Sequence, residues 1–358
     1  MKVLSLTLEN FKRFRDKTLN FCDPETGLAR DLVVLVGKNG AGKSSVLQAI
    51  AAMLGPPTGR LKKGPGDLDW PGFEWQLVNK AWQRPLSIQM EVGFSDDEIR
   101  ATRDYFDRTY LAGKPDAIRP GTSPVIRLRL DPESQQVRAG SHAEFYQFRG
   151  RDYARIILNQ SLEGFALFKR VGSVFWYTEH RTTNSLTPPE ENGQTLNFTA
   201  DLLRRRLSDL VQFHERIKRG ERTLRPGERD LFAELEKAYR TVFPTRRFDG
   251  PVPRTEIYEV LAEPWFNLYD GYRLYEISEM SGGERAIFPI LFDFANWNIH
   301  NSVILIDELE LHLHPPLQQG LLLALRNLGE NNQFIVTTHS DAVAAVTPET
   351  SLYRLEAD

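Results

Sequence analysis

Alternation of apolar and polar residues opens the chain and predicts a β-strand. Leu4, Leu6 and Leu8 alternate with polar residues, which is the two-residue period of a strand with one buried face. Residues 17–21 and 32–36 are further strand candidates, and 32–36 is a continuous apolar run typical of a strand buried on both faces. The same pattern predicts a helix over 45–54, strands over 86–94, 125–130 and 173–180, and a polar helix over 96–111.

Helical spacing dominates the second half of the chain. Apolar residues recur at this spacing over 200–243, with an interruption at 219–229. Two apolar runs, 303–306 and 334–337, then predict buried strands. These patterns indicate an α/β fold in which the polar segment 182–194 separates two lobes. Lobe I would comprise residues 1–180 and 300–358, and the helical lobe II would comprise 181–299.

A glycine-rich loop between the strand 32–36 and the helix 45–54 has the form G-x-x-x-x-G-K-S. Glycines let successive backbone N–H groups point at phosphate oxygens, and the helix start favours anions. Lys43 would hold the β and γ phosphates of a nucleotide, and the Ser44 hydroxyl would ligate Mg²⁺. The predicted nucleotide contacts are Gly37, Lys38, Asn39, Gly40, Ala41, Gly42, Lys43, Ser44 and Ser45.

A second candidate anion site lies far downstream, where the sequence SGGE directly precedes an apolar helix. A helix start after small residues presents free N–H groups to an anion. The predicted contacts there are Ser281, Gly282, Gly283 and Glu284.

Two adjacent carboxylates follow the apolar strand 303–306, at the strand end where ligands bind in open α/β sheets. Asp307 would orient water around Mg²⁺, and Glu308 would polarise the water that attacks the γ-phosphate. The strand 334–337 leads to His339, whose imidazole could bond the γ-phosphate or the attacking water. We therefore assign Lys43, Glu308 and His339 to catalysis, and Ser44 and Asp307 to the metal.

The four motifs, in this order, resemble those of the ATP-binding cassette (ABC) ATPases. The resemblance implies an ABC-type head with a mixed central sheet, an antiparallel side sheet and a helical lobe, with ATP and Mg²⁺ as ligands. In that family two heads enclose two nucleotides, so 281–283 would act across a homodimer interface. The loop 309–314 would cross to the partner, although His314 stands where transporters usually carry an aspartate.

Spacing narrows the resemblance within this superfamily. About 240 residues separate Lys43 from Ser281, against about a hundred in transporter subunits, which argues against transport. The opening strands and the sequence DELELHLHP resemble the RecF, SMC and OLD-like ATPases, without a heptad run for a long coiled coil. About 20 residues follow His339, so we expect no Toprim nuclease. OLD-like heads of this kind resemble sensor subunits of bacterial defence against phage.

Composition adds limits on compartment and partners. The formal charge of −3 gives no global attraction to nucleic acid or membrane, and the single cysteine, Cys22, excludes an internal disulfide. No apolar run approaches the roughly 20 residues that span a bilayer. We expect a cytoplasmic protein that acts with further copies of itself and with a separate effector protein, and not with a membrane.

Some assignments stay open. The arginine-rich segment 204–229 suits a DNA backbone, a partner protein or a solvated face, so a RecF-like DNA repair ATPase is an alternative function. A nucleotide-gated scaffold with little turnover, which holds an effector protein, is another. The glutamine loop of the superfamily has three candidate positions: Gln83, Gln89 and the segment 179–181. His312 and His314 lack the further ligands of a zinc site, so we assign them to the interface loop.

Overall fold

The computed structural model describes residues 1–80, 82, 84–131, 133–160, 164–178, 200–225, 227–254 and 264–356. The strands are β1 (Lys2–Phe11), β2 (Phe14–Asn20), β3 (Leu32–Val36), β4 (Ser87–Gly93), β5 (Val125–Asp131), β6 (Gln136–Arg138), β7 (Val174–Tyr177), β8 (Arg247–Val252), β9 (Trp265–Tyr269), β10 (Leu274–Glu276), β11 (Val303–Ile306), β12 (Gln333–Thr338) and β13 (Leu352–Arg354). The helices are α1 (Lys43–Leu54), α2 (Asp96–Arg108), α3 (His142–Gln147), α4 (Gly150–Leu158), α5 (Gly164–Leu167), α6 (Ala200–Lys218), α7 (Leu231–Val242), α8 (Gly282–Trp297), α9 (Pro315–Leu325) and α10 (Asp341–Val346).

A parallel sheet with the strand order β13-β3-β12-β11-β7 forms the centre of the molecule. Because β3, β12 and β11 are neighbours and run the same way, the segments that follow them meet at one edge. That edge receives the glycine-rich loop, His339 and the paired acids. The strand order thus gathers motifs that lie hundreds of residues apart in sequence.

The alternation of side chains along β3 explains why the central sheet is covered on both faces. Val33 and Leu35 pack into a core with α1 and the antiparallel sheet β2-β1-β4-β5-β6. Leu32 and Val34 point the other way, into a core with α7, α8 and α9. Burial on both faces is why β3, β7 and β11 read as continuous apolar runs.

Gln333 joins the central sheet to the antiparallel sheet through a buried amide. Its Nε2 donates to the carbonyls of Val3, at 2.9 Å, and Arg30, at 3.1 Å, while its Oε1 accepts from the Val3 N–H at 2.7 Å. The amide is fully buried, so its loss would leave backbone groups of β1 unpaired. This contact fixes the side sheet to the start of β12, at the opposite end of the strand from His339.

The ABC-type α/β head predicted from the sequence is confirmed, with one refinement. The parallel and antiparallel strands lie in separate sheets instead of mixing in the central one. A third sheet, β10-β9-β8, was not predicted, nor were the short helices α3 to α5. The longest helix within the described ranges is α6, with 19 residues. Within the same ranges, none of the helices is both long and apolar enough to cross a membrane.

Candidate functional site

The glycine-rich loop runs from β3 into α1, as the sequence predicts, and two of its glycines are sterically required. A Cβ on Gly37 would lie 2.3 Å from the Leu355 carbonyl oxygen, just beyond β13. Gly42 has φ +89°, and a Cβ there would meet the Phe14 ring at 2.5 Å. The loop is therefore packed against β13 on one side and against the start of β2 on the other.

Lys43 lies at the centre of the site and is 5% exposed. Its Nζ donates to the carbonyls of Gly37, at 2.8 Å, and Lys38, at 3.3 Å. Burial lowers the pKa of the ammonium, and the carboxylates of Glu310, Glu308 and Asp307 act against that shift. The Lys43 ammonium thus lies in the field of three carboxylates, whose negative charge would favour Mg²⁺ beside it.

Ser44 and Asp307, the two residues assigned to the metal from the sequence, lie together. The Ser44 hydroxyl donates to Asp307 Oδ1 at 3.0 Å, although the two residues are 263 positions apart. Hydroxyl and carboxylate oxygens are ligands that Mg²⁺ accepts, and a metal bound beside nucleotide phosphates needs few protein ligands. The oxygen donors present therefore fit the metal.

Thr337, which was not among the predicted site residues, holds Asp307 and Glu308 in place. Its hydroxyl donates to Asp307 Oδ1 at 2.6 Å and accepts from the Glu308 N–H at 2.8 Å. Thr337 lies on β12 and is fully buried. A hydroxyl directly after the apolar run 334–336 was the available signal, since a buried polar group needs a partner.

His339 lies between the cation and the second acid. Its Nδ1 is 3.2 Å from Lys43 Nζ, and its Nε2 is 3.7 Å from Glu308 Oε1. A protonated lysine can only donate hydrogen bonds, so His339 Nδ1 accepts this one. The ring proton of the imidazole then lies on Nε2, which faces Glu308. Glu308 itself has a left-handed backbone, φ +47°, which is unusual for a residue with a side chain. The structure thus brings Lys43, Asp307, Glu308 and His339 into one cluster.

The SGGE segment starts α8 with a capping box. Ser281 Oγ accepts from the Glu284 N–H at 3.3 Å, and the Glu284 carboxylate accepts from the Ser281 N–H at 2.9 Å. That carboxylate is 2% exposed and also bonds the hydroxyls of Tyr239 and Tyr275 and pairs with Arg246. Burial opposes its charge, but these donors hold the pKa of Glu284 below its usual value. Glu284, expected to contact nucleotide, has its side chain in the protein interior.

Ser281 and Gly282 are exposed at the start of α8, whereas Gly283 is buried against the loop 309–314. A Cβ on Gly283 would lie 3.1 Å from the Leu313 side chain and 3.3 Å from the His312 carbonyl oxygen. In the described structure no hydrogen bond or ion pair joins 281–284 to the phosphate loop of the same chain. The two candidate anion sites are separate within one copy.

The arginine-rich segment is largely paired within the chain. The Arg204 side chain is 8% exposed and donates two hydrogen bonds to the Glu276 carboxylate. Burial would raise the pKa of Glu276, but the hydrogen bonds that its carboxylate accepts, those of Arg204 first, lower the pKa to about 2. Further pairs join Arg222 to Glu228, Arg229 to Glu234, and Lys218 and Arg219 to Glu215. These acids occupy much of the charge that a DNA backbone would need.

The described residues do not single out one of the three candidates for the glutamine loop. Gln89 lies on β4, opposite Thr7 and Arg129 in the antiparallel sheet. Gln83 and the segment 179–181 lie outside the described residues. His312 and His314 lie in the turn after β11 rather than on a strand, with His312 at φ +62°.

Comparisons with known proteins bear on the fold and the family of the chain. The chain is 24% identical to the "Retron Ec83 probable ATPase" of Escherichia coli, over 99% of the chain and 72% of that protein. It is 22% identical to the "Septu protein PtuA" of Bacillus mycoides, over 94% of the chain and only 38% of that protein. Among solved structures, an Smc head bound to the C-winged helix domain of ScpA matches 97% of the chain, covers 92% of that head, and has a TM-score of 0.54 at 15% identity. The last likeness shows the fold alone.

Two family models also match. One, an AAA domain, matches residues 1–56, which include β1 to β3 and the phosphate loop. The other covers residues 32–345, from the strand before the phosphate loop to beyond His339. The chain has the fold of an SMC head, and it belongs to the family described as "AAA domain, putative AbiEii toxin, Type IV TA system".

Proposed function

We propose that this protein binds ATP with Mg²⁺ at residues 37–45 and hydrolyses it. The observation that carries the proposal is the chain of hydrogen bonds from Ser44 to Asp307 to Thr337 to the Glu308 N–H. These bonds support the proposal because they hold the two proposed metal ligands, Ser44 and Asp307, in fixed relation to the proposed general base, Glu308. A phosphate loop without this arrangement would bind nucleotide but would not position water.

Each side chain then has a distinct task. Lys43 holds the β and γ phosphates, which requires it to leave the carbonyls that it bonds here. Glu308 accepts a proton from the attacking water, and His339 bonds the γ-phosphate or that water. Bound Mg²⁺ would supply Lewis-acid stabilisation of the phosphate charge, held by Ser44 and Asp307. These roles need no movement of the central sheet.

The second part of the proposal is that two copies pair head to head. Ser281 and Gly282 are exposed and make no hydrogen bond or ion pair to the phosphate loop of their own chain in the described structure. A helix start that is free in this way can bind the γ-phosphate held by another copy. Hydrolysis would remove that phosphate and release the pair.

The biological setting that we propose is defence against phage, with nucleotide state coupled to a separate effector protein. The resemblance to OLD-like heads supports it, as does similarity to a retron-associated ATPase and to the Septu protein PtuA. The internal pairing of the arginine-rich segment gives the DNA repair alternative less support.

The direct test is ATP turnover by the purified chain, with and without Mg²⁺, beside a Lys43→Ala variant. We expect Mg²⁺-dependent phosphate release that the variant lacks. Tight ATP binding without release would favour the nucleotide-gated scaffold. Turnover that survives in Lys43→Ala would come from a contaminant and would remove the support for hydrolysis by this chain.

A further inference from the structure

Glu310 is a third carboxylate at the site, two residues beyond Glu308 in the turn that follows β11. The turn is held by the Leu309 N–H, which donates to the Thr337 carbonyl at 2.9 Å, and by the Leu313 N–H, which donates to the Glu310 carbonyl at 2.9 Å. The side chain of Glu310 therefore starts from a fixed backbone.

The Glu310 carboxylate reaches the backbone of His339, whose ring Nδ1 lies 3.2 Å from Lys43 Nζ. Its Oε1 accepts a hydrogen bond from the His339 backbone N–H. Its Oε2 is buried and has no hydrogen-bond partner among the residues that the structure describes. Of the three carboxylates that oppose the lowering of the Lys43 pKa, that of Glu310 opposes it most.

A buried carboxylate oxygen without a donor is costly, because it has lost water and gained no hydrogen bond. The anion that Lys43 and His339 are placed to receive is the γ-phosphate of ATP, which would bring more negative charge to the same region. Like charges at a half-buried site repel strongly. The Glu310 carboxylate and a γ-phosphate would thus both act on the Lys43 ammonium and repel each other.

We propose that Glu310 acts as a γ-phosphate sensor: its negative charge opposes a γ-phosphate bound at Lys43 and His339, and its carboxylate is displaced by ATP but not by ADP. The inference rests on the proposed ATP binding and adds a means of telling the two nucleotides apart. Glu310 is in this sense a specificity-determining residue.

Displacement of Glu310 has a direct route to the start of α8. Glu310 belongs to the loop 309–314, and Leu313 and the His312 carbonyl of that loop contact the position of Gly283. A shift of the loop therefore alters the contact that holds the Ser281–Gly283 segment. Occupation of one anion site would in this way adjust the exposed site that a second copy uses.

The test measures the affinities of Mg²⁺ complexes of ADP and of a non-hydrolysable ATP analogue, by calorimetry on the full chain. Glu310→Gln keeps an acceptor for the His339 N–H but removes the charge. We expect the dissociation constant of the ATP analogue to fall about tenfold and that of ADP to stay within about twofold. Glu133→Gln, an exposed change on the turn between β5 and β6, serves as the matched control and should alter neither.

Other outcomes overturn the inference in recognisable ways. Equal tightening of both nucleotides, or no change, would mean that Glu310 does not respond to the γ-phosphate. Weaker binding of both would make its carboxylate a contributor to the metal site. If the unaltered chain binds neither nucleotide, the proposed function itself fails. A melting temperature matched to the unaltered chain excludes misfolding as the cause in each case.

Discussion

The Ser44 hydroxyl donates directly to Asp307 Oδ1 at 3.0 Å. The bond joins the start of α1 to the segment after β11, so the two proposed metal ligands are adjacent within the fold. Such pre-positioning reduces the rearrangement needed for binding. Removal of the Ser44 hydroxyl would therefore also take one hydrogen-bond donor away from Asp307.

We expect Ser44→Ala to raise the Mg²⁺ concentration for half-maximal turnover at least tenfold, because one oxygen ligand is missing. A titration of phosphate release against Mg²⁺, at fixed ATP, measures this. Ser134→Ala, on the exposed turn between β5 and β6, is the control. An unchanged Mg²⁺ requirement in Ser44→Ala would take the hydroxyl out of the metal site.

Glu308→Gln should lower ATP turnover by about 10²-fold or more, since loss of a general base typically has that effect. Binding of ATP should persist, because the amide keeps the shape of the side chain and Lys43 is unaltered. Phosphate release measures turnover, and calorimetry with a non-hydrolysable ATP analogue measures binding. Undiminished turnover would assign proton transfer to another group.

Thr337→Val should impair both stability and turnover, because it removes the hydroxyl that joins Asp307 to the Glu308 N–H without much change in volume. The unpaired N–H and the lost bond should cost about 1–3 kcal/mol of unfolding free energy. Thr337→Ser keeps the hydroxyl and should recover most of the turnover. Equal turnover in the valine and serine variants would show that the hydroxyl is not needed.

The contrast between Ser44 and Thr337 shows how far the sequence could be read. Ser44 stands in a motif of fixed spacing, so its role follows from neighbouring residues. Thr337 acts only because β12 lies next to β11, and that adjacency is set by packing of the whole sheet. Glu310 was missed for a similar reason, since its importance depends on the approach of His339 and Lys43 from other strands.

The strands differ in the same way. The strand 32–36 was predicted with its observed bounds, because burial on both faces leaves an unbroken apolar run. The sheet formed by β8, β9 and β10 was missed. Gly250 and Pro251 interrupt β8, and β10 has only three residues, so neither gives a clear two-residue period.

A buried acid outside the site should make stability depend on pH. Burial raises the pKa of Asp293 to about 7 from an ordinary value of 3.8, against the opposing effects of Tyr177, which bonds it at 3.3 Å, and Arg60. The folded state therefore binds the proton more tightly than the unfolded state. Stability from this group is fully present below about pH 4 and is lost as the pH rises to about 7.

Asp293→Asn should remove this dependence, since the amide does not ionise and can still accept from Tyr177. We expect the variant to be more stable than the unaltered chain by about 4 kcal/mol above pH 7, and the difference to shrink towards pH 4. Denaturant unfolding from pH 4 to 8 measures it. Asp116→Asn, an exposed change, is the control. A difference that is constant with pH would contradict the assignment of the buried charge.

Pairing of two copies can be tested by mixing two inactive variants. Lys43→Ala should disable nucleotide binding, and Gly282→Asp should disable the exposed helix start by placing a carboxylate where a phosphate would approach. The aspartate should not disturb the fold, because a Cβ at Gly282 meets only the His312 Cβ, at 3.6 Å, and an acid suits a helix N-terminus.

If each site combines one copy's phosphate loop with the other's Gly282, a mixed pair holds one intact site. Equal mixing should then restore about a quarter of the original turnover, since about half of the pairs are mixed and each has one of two sites. If both parts act within one copy, mixing restores nothing, and head-to-head completion of the site is refuted.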